Sequence, residues 1–364
     1  MAPTKKAGVL GATGSVGQRF ILLLSEHPDF ELAVLGASSR SAGKKYSDAV
    51  DWKQTSILPE QSGAIVVSEC KPENFADCDV VFSGLDADYA GDIEKAFVDA
   101  GLVIISNAKN YRREPSVPLV VPTANAEHLD IFTDRVLQSK SEGKKQGYQI
   151  CISNCSTAGL VVPLKALQDK FGPIDTVTVT TMQAVSGAGF SPGVPSMDVL
   201  DNLVPFISGE EDKMEWETKK ILGGISANGV DFIPVDDNEL RVSAQCNRVA
   251  VIDGHTECVS FKFKNRPAPS VEQVKNCLSE FVSQPQRLGC YSAPKKAIYV
   301  LEQSDRPQPR LDRNRDNGYA VSVGRVREDP VLDFKFVALS HNTIIGAAGS
   351  GILIAETLLA KSLI

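Results

Sequence analysis

The chain has 364 residues, 43% of them hydrophobic and 23% charged, too long for one simple layered domain and too balanced for disorder, so two domains are expected. A net charge of −7 argues against a basic nucleic-acid face, and no secretory leader or apolar run of roughly 18 residues is present, so a soluble cytoplasmic protein with no nucleic-acid or membrane partner is expected. Eight cysteines without a C-x-x-C pair and four scattered histidines lack zinc-type spacing, which implies reduced thiols and no metal.

Residues 7–10 read as a short buried strand, 11–17 as a glycine loop and 15–25 as a helix with the apolar stripe Val16, Phe20, Leu23 and Leu24. Further strands are expected at 31–37, 64–68, 79–83 and 102–106, with a helix over 89–100. This alternation implies a mostly parallel sheet covered on both faces. The stretch 134–147, with Lys140, Lys144 and Lys145, reads as a solvated connection. A strand at 148–152 then runs through Ser153-Asn154-Cys155-Ser156-Thr157 into a helix over 156–171. Beyond it the pattern changes: strands at 174–182, 240–252, 256–263, 320–326 and 332–337, with fewer helices between them, imply a large mixed sheet. Loop 302–318 carries four arginines, three aspartates and two prolines and reads as a solvated, ion-paired connection or a subunit contact. The small and aliphatic residues of 346–360 form a helix suited to burial against the first sheet. The fold class is α/β: a Rossmann-like doubly wound parallel sheet in 1–154, completed by 340–364, and a second α+β domain in 155–339.

The loop Gly11-Ala12-Thr13-Gly14-Ser15-Val16-Gly17 stands where backbone N–H groups and a helix N-terminus can hold a pyrophosphate. Its spacing departs from G-x-G-x-x-G, and glycines also serve plain turns, so its place between strand and helix carries the dinucleotide reading. At the end of the second strand, where a carboxylate would accept from the ribose 2′-hydroxyl of NAD, stand Ser38, Ser39 and Arg40. Two hydroxyls and a guanidinium suit a 2′-phosphate and favour NADP, the alternative being that Arg40 is a plain surface residue.

Cys155 falls in the first turn of a helix, where the dipole is expected to lower its pKa and backbone amides could receive an oxyanion. The other seven cysteines read as small buried hydrophobes. Of the histidines, His27 and His128 read as surface residues, His255 sits in a turn joining two strong strands, and His341 is the weaker partner for the thiol. Arg248 shares strand parity with Val242, Ala244 and Cys246. A guanidinium on an apolar face calls for an anion, unless a bulge turns it to solvent.

Segments 11–17, 107–112, 153–157, Gln183 in Met-Gln-Ala-Val-Ser-Gly, 208–213, 248–256 and 342–351 together make the chain resemble the aspartate-semialdehyde dehydrogenases, most closely their archaeal and fungal branch, over nearly its whole length. The resemblance implies Cys155 as nucleophile, His255 as acid/base and Gln183 as the residue that positions the acyl chain. Arg248 would clamp the substrate carboxylate, Glu210 would hold its amino group, and Arg112, Asn154 and Lys213 would bind phosphate. Cofactor contacts would fall to Gly11, Thr13, Gly14, Ser15, Val16, Ser38, Ser39, Arg40, Ser186, Gly187 and Asn342. Glu210 and Lys213, three apart, would share one helix face. The implied chemistry is NADP-dependent interconversion of aspartyl phosphate and aspartate semialdehyde plus inorganic phosphate through a thioester, serving lysine, threonine and methionine synthesis. A homodimer at least is implied, extended in many members of this branch to a homotetramer, with 155–339 as the catalytic and dimerisation domain; the sequence does not decide between the two states. N-acetyl-γ-glutamyl-phosphate reductases usually place Tyr-Pro-Thr after the cysteine, where Ser156-Thr157 follow here. An NADP-binding thiol redox sensor would have little reason to keep Arg248, Glu210 and Lys213.

Overall fold

The computed structural model describes residues 5–143, 145–190 and 192–364; Lys144 of the lysine-rich stretch lies outside them. Strand β1 (Lys5–Leu10) is buried from Ala7 onward and pairs in parallel with β2 (Phe30–Ala37) on one side. Beyond β2 lies the two-residue β3 (Ser68–Glu69), and β4 (Val80–Ser83) flanks the other edge of β1. With β5 (Val103–Ser106), β6 (Leu119–Val120) and β7 (Tyr148–Ile152) they form a seven-stranded, all-parallel sheet in the order β3-β2-β1-β4-β5-β7-β6. Every residue of β4, β5 and β7 is buried, as befits strands covered on both faces. The winding reverses between β1 and β4, and the crevice beyond their carboxyl ends is where such sheets take ligands. The expected strand 64–68 is instead the end of a short helix, Glu60–Ala64, followed by β3. There the apolar run lies at the sheet edge, Val66 is exposed, and only an isolated bridge to Lys45 forms.

The second sheet is built from β8 (Ile174–Gln183), β11 (Arg241–Arg248), β12 (His255–Phe263), β13 (Ile298–Leu301), β14 (Val321–Glu328) and β15 (Phe334–Ser340), with a small ribbon of β9 (Gly224–Ile225) and β10 (Phe232–Ile233) apart from it. Its order is β11-β8-β12-β15-β14-β13, and it is mixed: β11–β8 and β13–β14 pair in parallel, the rest antiparallel. Helix Cys155–Phe171 lies on one face, where Leu160, Val161 and Leu164 share a core with Val179, Val259, Phe261 and Phe336. Alternation along β12 buries His255, Glu257, Val259, Phe261 and Phe263 together, which turns His255 toward that helix.

The C-terminal helix Gly349–Ala360 returns to the first sheet, sharing a core of Ile352, Ile354, Ala355 and Leu358 with Val9, Phe20, Phe82 and Ile105. It starts three residues later than expected, because 344–348 form a π-helical turn first. Two histidine expectations fail here. His27 is buried beneath this helix with Nε2 2.8 Å from Glu356, and His128 is buried between Asn125 and the Phe232 ring. Of these three partners Glu356 and Phe232 come from distant sequence and only Asn125 is near, so no local pattern marks either histidine as buried. The arginine loop is ion-paired, as expected, but not merely solvated: the side chain of Asp312 is fully buried and receives Arg306 and Arg315. Burial works against its charge, yet the bonds from Arg306, the Gln308 amide and Arg315 prevail and draw its pKa down to about 2. Among the described residues, no helix is long and apolar enough to cross a membrane.

Candidate active site

The segment after β7 supplies its own helix cap. Asn154 is extended, and its Oδ1 accepts from the amides of Ser156 (2.9 Å) and Thr157 (3.4 Å), so Cys155 becomes the first residue of a capped helix. The other end of the Asn154 side chain donates to Glu210 Oε1 at 2.7 Å. Cys155 Sγ lies 3.2 Å from His255 Nε2. The C-terminal segment packs against Cys155: a Cβ on Gly346 would stand 3.0 Å from both the Cys155 Cβ and the Cys155 carbonyl oxygen, so a larger residue would have to push the two segments apart by a few tenths of an ångström.

The electrostatics correct one sequence expectation. Desolvation pushes the Cys155 thiol up to about 12, with Glu210 adding to the rise and Arg248, Arg112 and Lys213 opposing it. The helix N-terminus is in place, but the low-dielectric surroundings assembled around it win. Burial also holds His255 down to about 3, with Arg248 and His341 acting in the same direction. The resting pair is therefore a neutral thiol and a neutral imidazole. Arg248 ends β11 in regular register with Gln183, so no bulge sends it outward. It is buried, and its Nη1 donates to the Ala184 carbonyl at 2.6 Å.

Glu210 and Lys213 do meet on one face of helix Glu210–Ile221, with Lys213 Nζ 3.1 Å from Glu210 Oε2. Two turns on, the same face presents Glu217, which the sequence reading missed. Its Oε1 accepts from Arg112 Nη1 (2.8 Å) and its Oε2 from the Asn154 backbone N–H (2.6 Å). The signal was available: Glu217 follows Glu210 by seven residues and Lys213 by four, one stripe of a helix. Next to it, buried Lys220 donates to the carbonyls of Arg112, Glu114 and Val117 at 2.7, 2.7 and 2.8 Å, which fixes the backbone that carries Arg112.

A cleft of about 390 Å³ joins these residues to the glycine loop. Of the expected site residues it is lined by Ser15, Val16, Arg112, Asn154, Cys155, Gln183, Ser186, Gly187, Glu210, Lys213, Arg248 and Asn342. His255 stands behind the thiol, next to Gly187. Gly11, Thr13, Gly14, Ser38, Ser39 and Arg40 fall outside the lining, on the adjoining rim where the Ala12 amide bonds to Gly36 at the end of β2. Gly14 and Ser38, Ser39 and Arg40 are exposed there. The loop fits a dinucleotide: Gly11 has φ +69°, and a Cβ on Gly17 would sit 2.2 Å from the Gly11 carbonyl oxygen, so a tight turn delivers open amides to the helix start. On the cleft wall, Arg19 Nε and Gln54 Oε1 are buried polar atoms without a protein partner. Asn342 spans the cleft floor, accepting from the Gly254 amide and donating to Ser186 Oγ, each at 2.8 Å. His341 turns instead to Thr343. Among the described residues, no group of three or more His, Cys, Asp or Glu side chains could hold a metal ion.

A thiol and an imidazole in contact at a helix N-terminus, ringed by three cationic side chains at the ligand end of an open α/β sheet, define a cysteine-dependent enzyme for small anionic substrates. Two family models divide the chain: the NAD binding domain of semialdehyde dehydrogenase matches residues 6–131, and its dimerisation domain matches residues 164–345. Aspartate-semialdehyde dehydrogenases from Candida albicans and Saccharomyces cerevisiae are 71% and 70% identical to it, over 99% of this chain and 99% of the first relative, and 100% of both chains for the second. The crystal structure of the Candida albicans enzyme with NADP superimposes with a TM-score of 0.95 at 70% identity, covering 99% of this chain and 100% of that one. Aspartate semialdehyde dehydrogenase II of Vibrio cholerae, complexed with ASA, has a TM-score of 0.73 at 25% identity and covers 98% and 99%. The chain belongs to the aspartate-semialdehyde dehydrogenase family.

Proposed function

We propose that this enzyme reduces L-4-aspartyl phosphate to L-aspartate 4-semialdehyde with NADPH, releasing inorganic phosphate, and runs the phosphorylating oxidation in reverse, through a thioester on Cys155. The observation that carries the reading is Cys155 Sγ at 3.2 Å from His255 Nε2, with Arg248, Arg112, Lys213 and Glu210 around the same cleft. When bound, NADPH supplies the hydride. Cys155 displaces phosphate from the acyl carbon, with Gln183, nearly fully buried on the cleft wall, positioning the chain. Arg248 takes the substrate carboxylate and Glu210 its ammonium. Arg112, Lys213 and the Asn154 amide group take phosphate. Gly11, Thr13, Gly14, Ser15 and Val16 cradle the pyrophosphate, Ser38, Ser39 and Arg40 take the 2′-phosphate, and Ser186, Gly187 and Asn342 face the nicotinamide.

In this reading residues 1–154 with 340–364 hold the cofactor and 155–339 carry catalysis and the subunit interface. The reach of the two family models and the C-terminal helix in the first core support that division. The matched dimerisation domain supports a homodimer, of which a homotetramer would be a pair. In this reading the enzyme works in the cytoplasm, in lysine, threonine and methionine synthesis. The test follows absorbance of reduced nicotinamide after mixing enzyme, NADP and aspartate semialdehyde, with and without phosphate. Reduction that needs phosphate and vanishes in Cys155→Ala is expected. Activity only with N-acetyl-glutamate semialdehyde would reassign the substrate, and NADP binding without any reduction would refute the reading.

A further inference from the structure

Loop 107–118, between β5 and β6, brings Arg112 to the cleft without any helix or strand of its own. Its internal bonds are long: the Arg112 amide to the Lys109 carbonyl at 3.3 Å, Glu114 to Tyr111 and Val117 to Glu114 at 3.2 Å. The carbonyls of Arg112, Glu114 and Val117 instead converge on one point outside the loop, where Lys220 Nζ stands at 2.7, 2.7 and 2.8 Å. An ammonium has three donors and no acceptor, so each proton meets one carbonyl. The rings of Trp216 and Phe232, 5.6 and 5.7 Å from the same nitrogen, close the rest of its surroundings. Without the cation, three carbonyl oxygens would face one another in a buried place with no donor between them.

We infer that Lys220 is a positioning residue for the phosphate site: its ammonium gathers loop 107–118 by three carbonyls, holds Arg112 where phosphate is taken, and makes affinity for phosphate, not for the cofactor, depend on its staying protonated. The inference rests on the phosphate role given to Arg112 above. It concerns a side chain that touches neither substrate nor cofactor and acts only through the loop.

A neutral amine keeps two donors and gains a lone pair, so one of the three carbonyls would lose its partner and meet that lone pair instead. The change falls in an accessible range. Burial draws the Lys220 ammonium down to about 8, against the pull of Cys151, Glu114 and Glu217. The charged and titratable groups around it are Glu217 on its own helix, Arg112 and Glu114 on the loop, Cys151 on β7, and His128, which stacks on Phe232. Burial pushes the Cys151 thiol up to about 12 and holds His128 below its usual value, while Glu217 keeps Arg112 charged. Lys220 is left to change its charge just above neutrality.

The experiment measures KM for inorganic phosphate in the phosphorylating oxidation from about pH 7 to pH 9, in the full-length enzyme and in Lys220→Met, which keeps the apolar stem and removes the donors. At pH 7 the variant should need about tenfold more phosphate, the worth of hydrogen bonds from a charged donor, with kcat at saturating phosphate within about threefold of wild type. Its KM should stay flat with pH, while that of the wild type climbs about fivefold and closes most of the gap by pH 9. Lys220→Arg stays charged throughout and should also be flat, so either variant alone carries the comparison if the other does not fold. NADP affinity, read by fluorescence titration, should stay within about twofold in every case. A phosphate KM that rises with pH in parallel in wild type and variant, or one that Lys220→Met leaves unchanged, overturns the inference; so does an equal loss of NADP affinity, which marks a merely structural role. Failure of the thioester reading looks different: the wild type would then show no phosphate-dependent reduction of NADP at any pH.

Discussion

Replacing Glu217 by glutamine tests whether the phosphate side of the cleft is braced from behind. The carboxylate is nearly fully buried and meets two donors, Arg112 Nη1 at 2.8 Å and the Asn154 N–H at 2.6 Å. A glutamine of the same shape has one acceptor oxygen, so its NH₂ must face one of these donors, and the Arg112 charge loses its counter-ion. Breaking a buried pair from one side costs about 3–5 kcal/mol, which should appear as a lower midpoint of denaturant unfolding. If about 2 kcal/mol of that is lost from the orientation of Arg112 toward phosphate, KM for phosphate rises about 30-fold at 1.4 kcal/mol per decade. NADP affinity, read by fluorescence titration, should stay within about twofold, because Glu217 touches nothing at the glycine-loop end. Glu217→Asp keeps the charge but is shorter by one methylene and should fall between. An unchanged unfolding midpoint with phosphate KM within about twofold of wild type would refute the bracing argument.

Three further outcomes follow from the same physics. Asp312 has its pKa drawn from an ordinary 3.8 to about 2, a lowered carboxylate whose stabilisation is fully present above about pH 4 and lost as pH falls toward 2. That shift is worth about 2 kcal/mol, so Asp312→Asn should unfold more readily at pH 6 and lose the gap to wild type near pH 2 in acid titrations followed by circular dichroism. Cys155, with its thiol raised to about 12, should be alkylated by iodoacetamide slowly at neutral pH, about tenfold faster per pH unit without a plateau below pH 9, and after exposed Cys258, as peptide mass spectrometry would show; a plateau near pH 7 would contradict the neutral pair. Arg40→Ala should raise KM for NADP about 10- to 100-fold, the worth of a lost charge-assisted bond to phosphate, and leave KM for NAD unchanged in steady-state assays.

What could be read beforehand and what could not divide along a physical line. The glycine loop, the strand that runs into Asn154-Cys155 and the parity of Arg248 are local patterns, and each stands where the sequence puts it. The shared face of Glu210 and Lys213 is a spacing argument and holds for the same reason. The thiol pKa is not local: it depends on how much water is excluded by segments far along the chain, such as Gly346 against Cys155. His27 and His128 looked like surface residues because their partners Glu356 and Phe232 are remote. Strand β6 has only two residues, too short a pattern to detect, while β13, as long as β4 and β5, stands at the edge of the second sheet and went unread. The Ala184 peptide N–H holds the His255 ring at Nδ1, and a backbone donor leaves no trace in side-chain identity.

The C-terminal return therefore does more than complete the first sheet. Thiol and imidazole come from different segments, the start of helix Cys155–Phe171 and the start of β12, so their 3.2 Å separation needs a strut that fixes one against the other. Segment 342–346 provides it from both sides. Asn342 fastens the Gly254 amide, next to His255, and also Ser186, two residues after the Ala184 peptide that holds the imidazole. Gly346 meanwhile presses on Cys155 itself. Gly254 must be glycine here, with φ +100° and Arg313, Leu339 and Pro309 at 3.3–3.4 Å from where a Cβ would stand, which ties the arginine loop to the same turn. Displacing this strut by a few tenths of an ångström would move imidazole and thiol relative to each other while leaving both side chains chemically intact, which is the kind of change that costs rate more than binding.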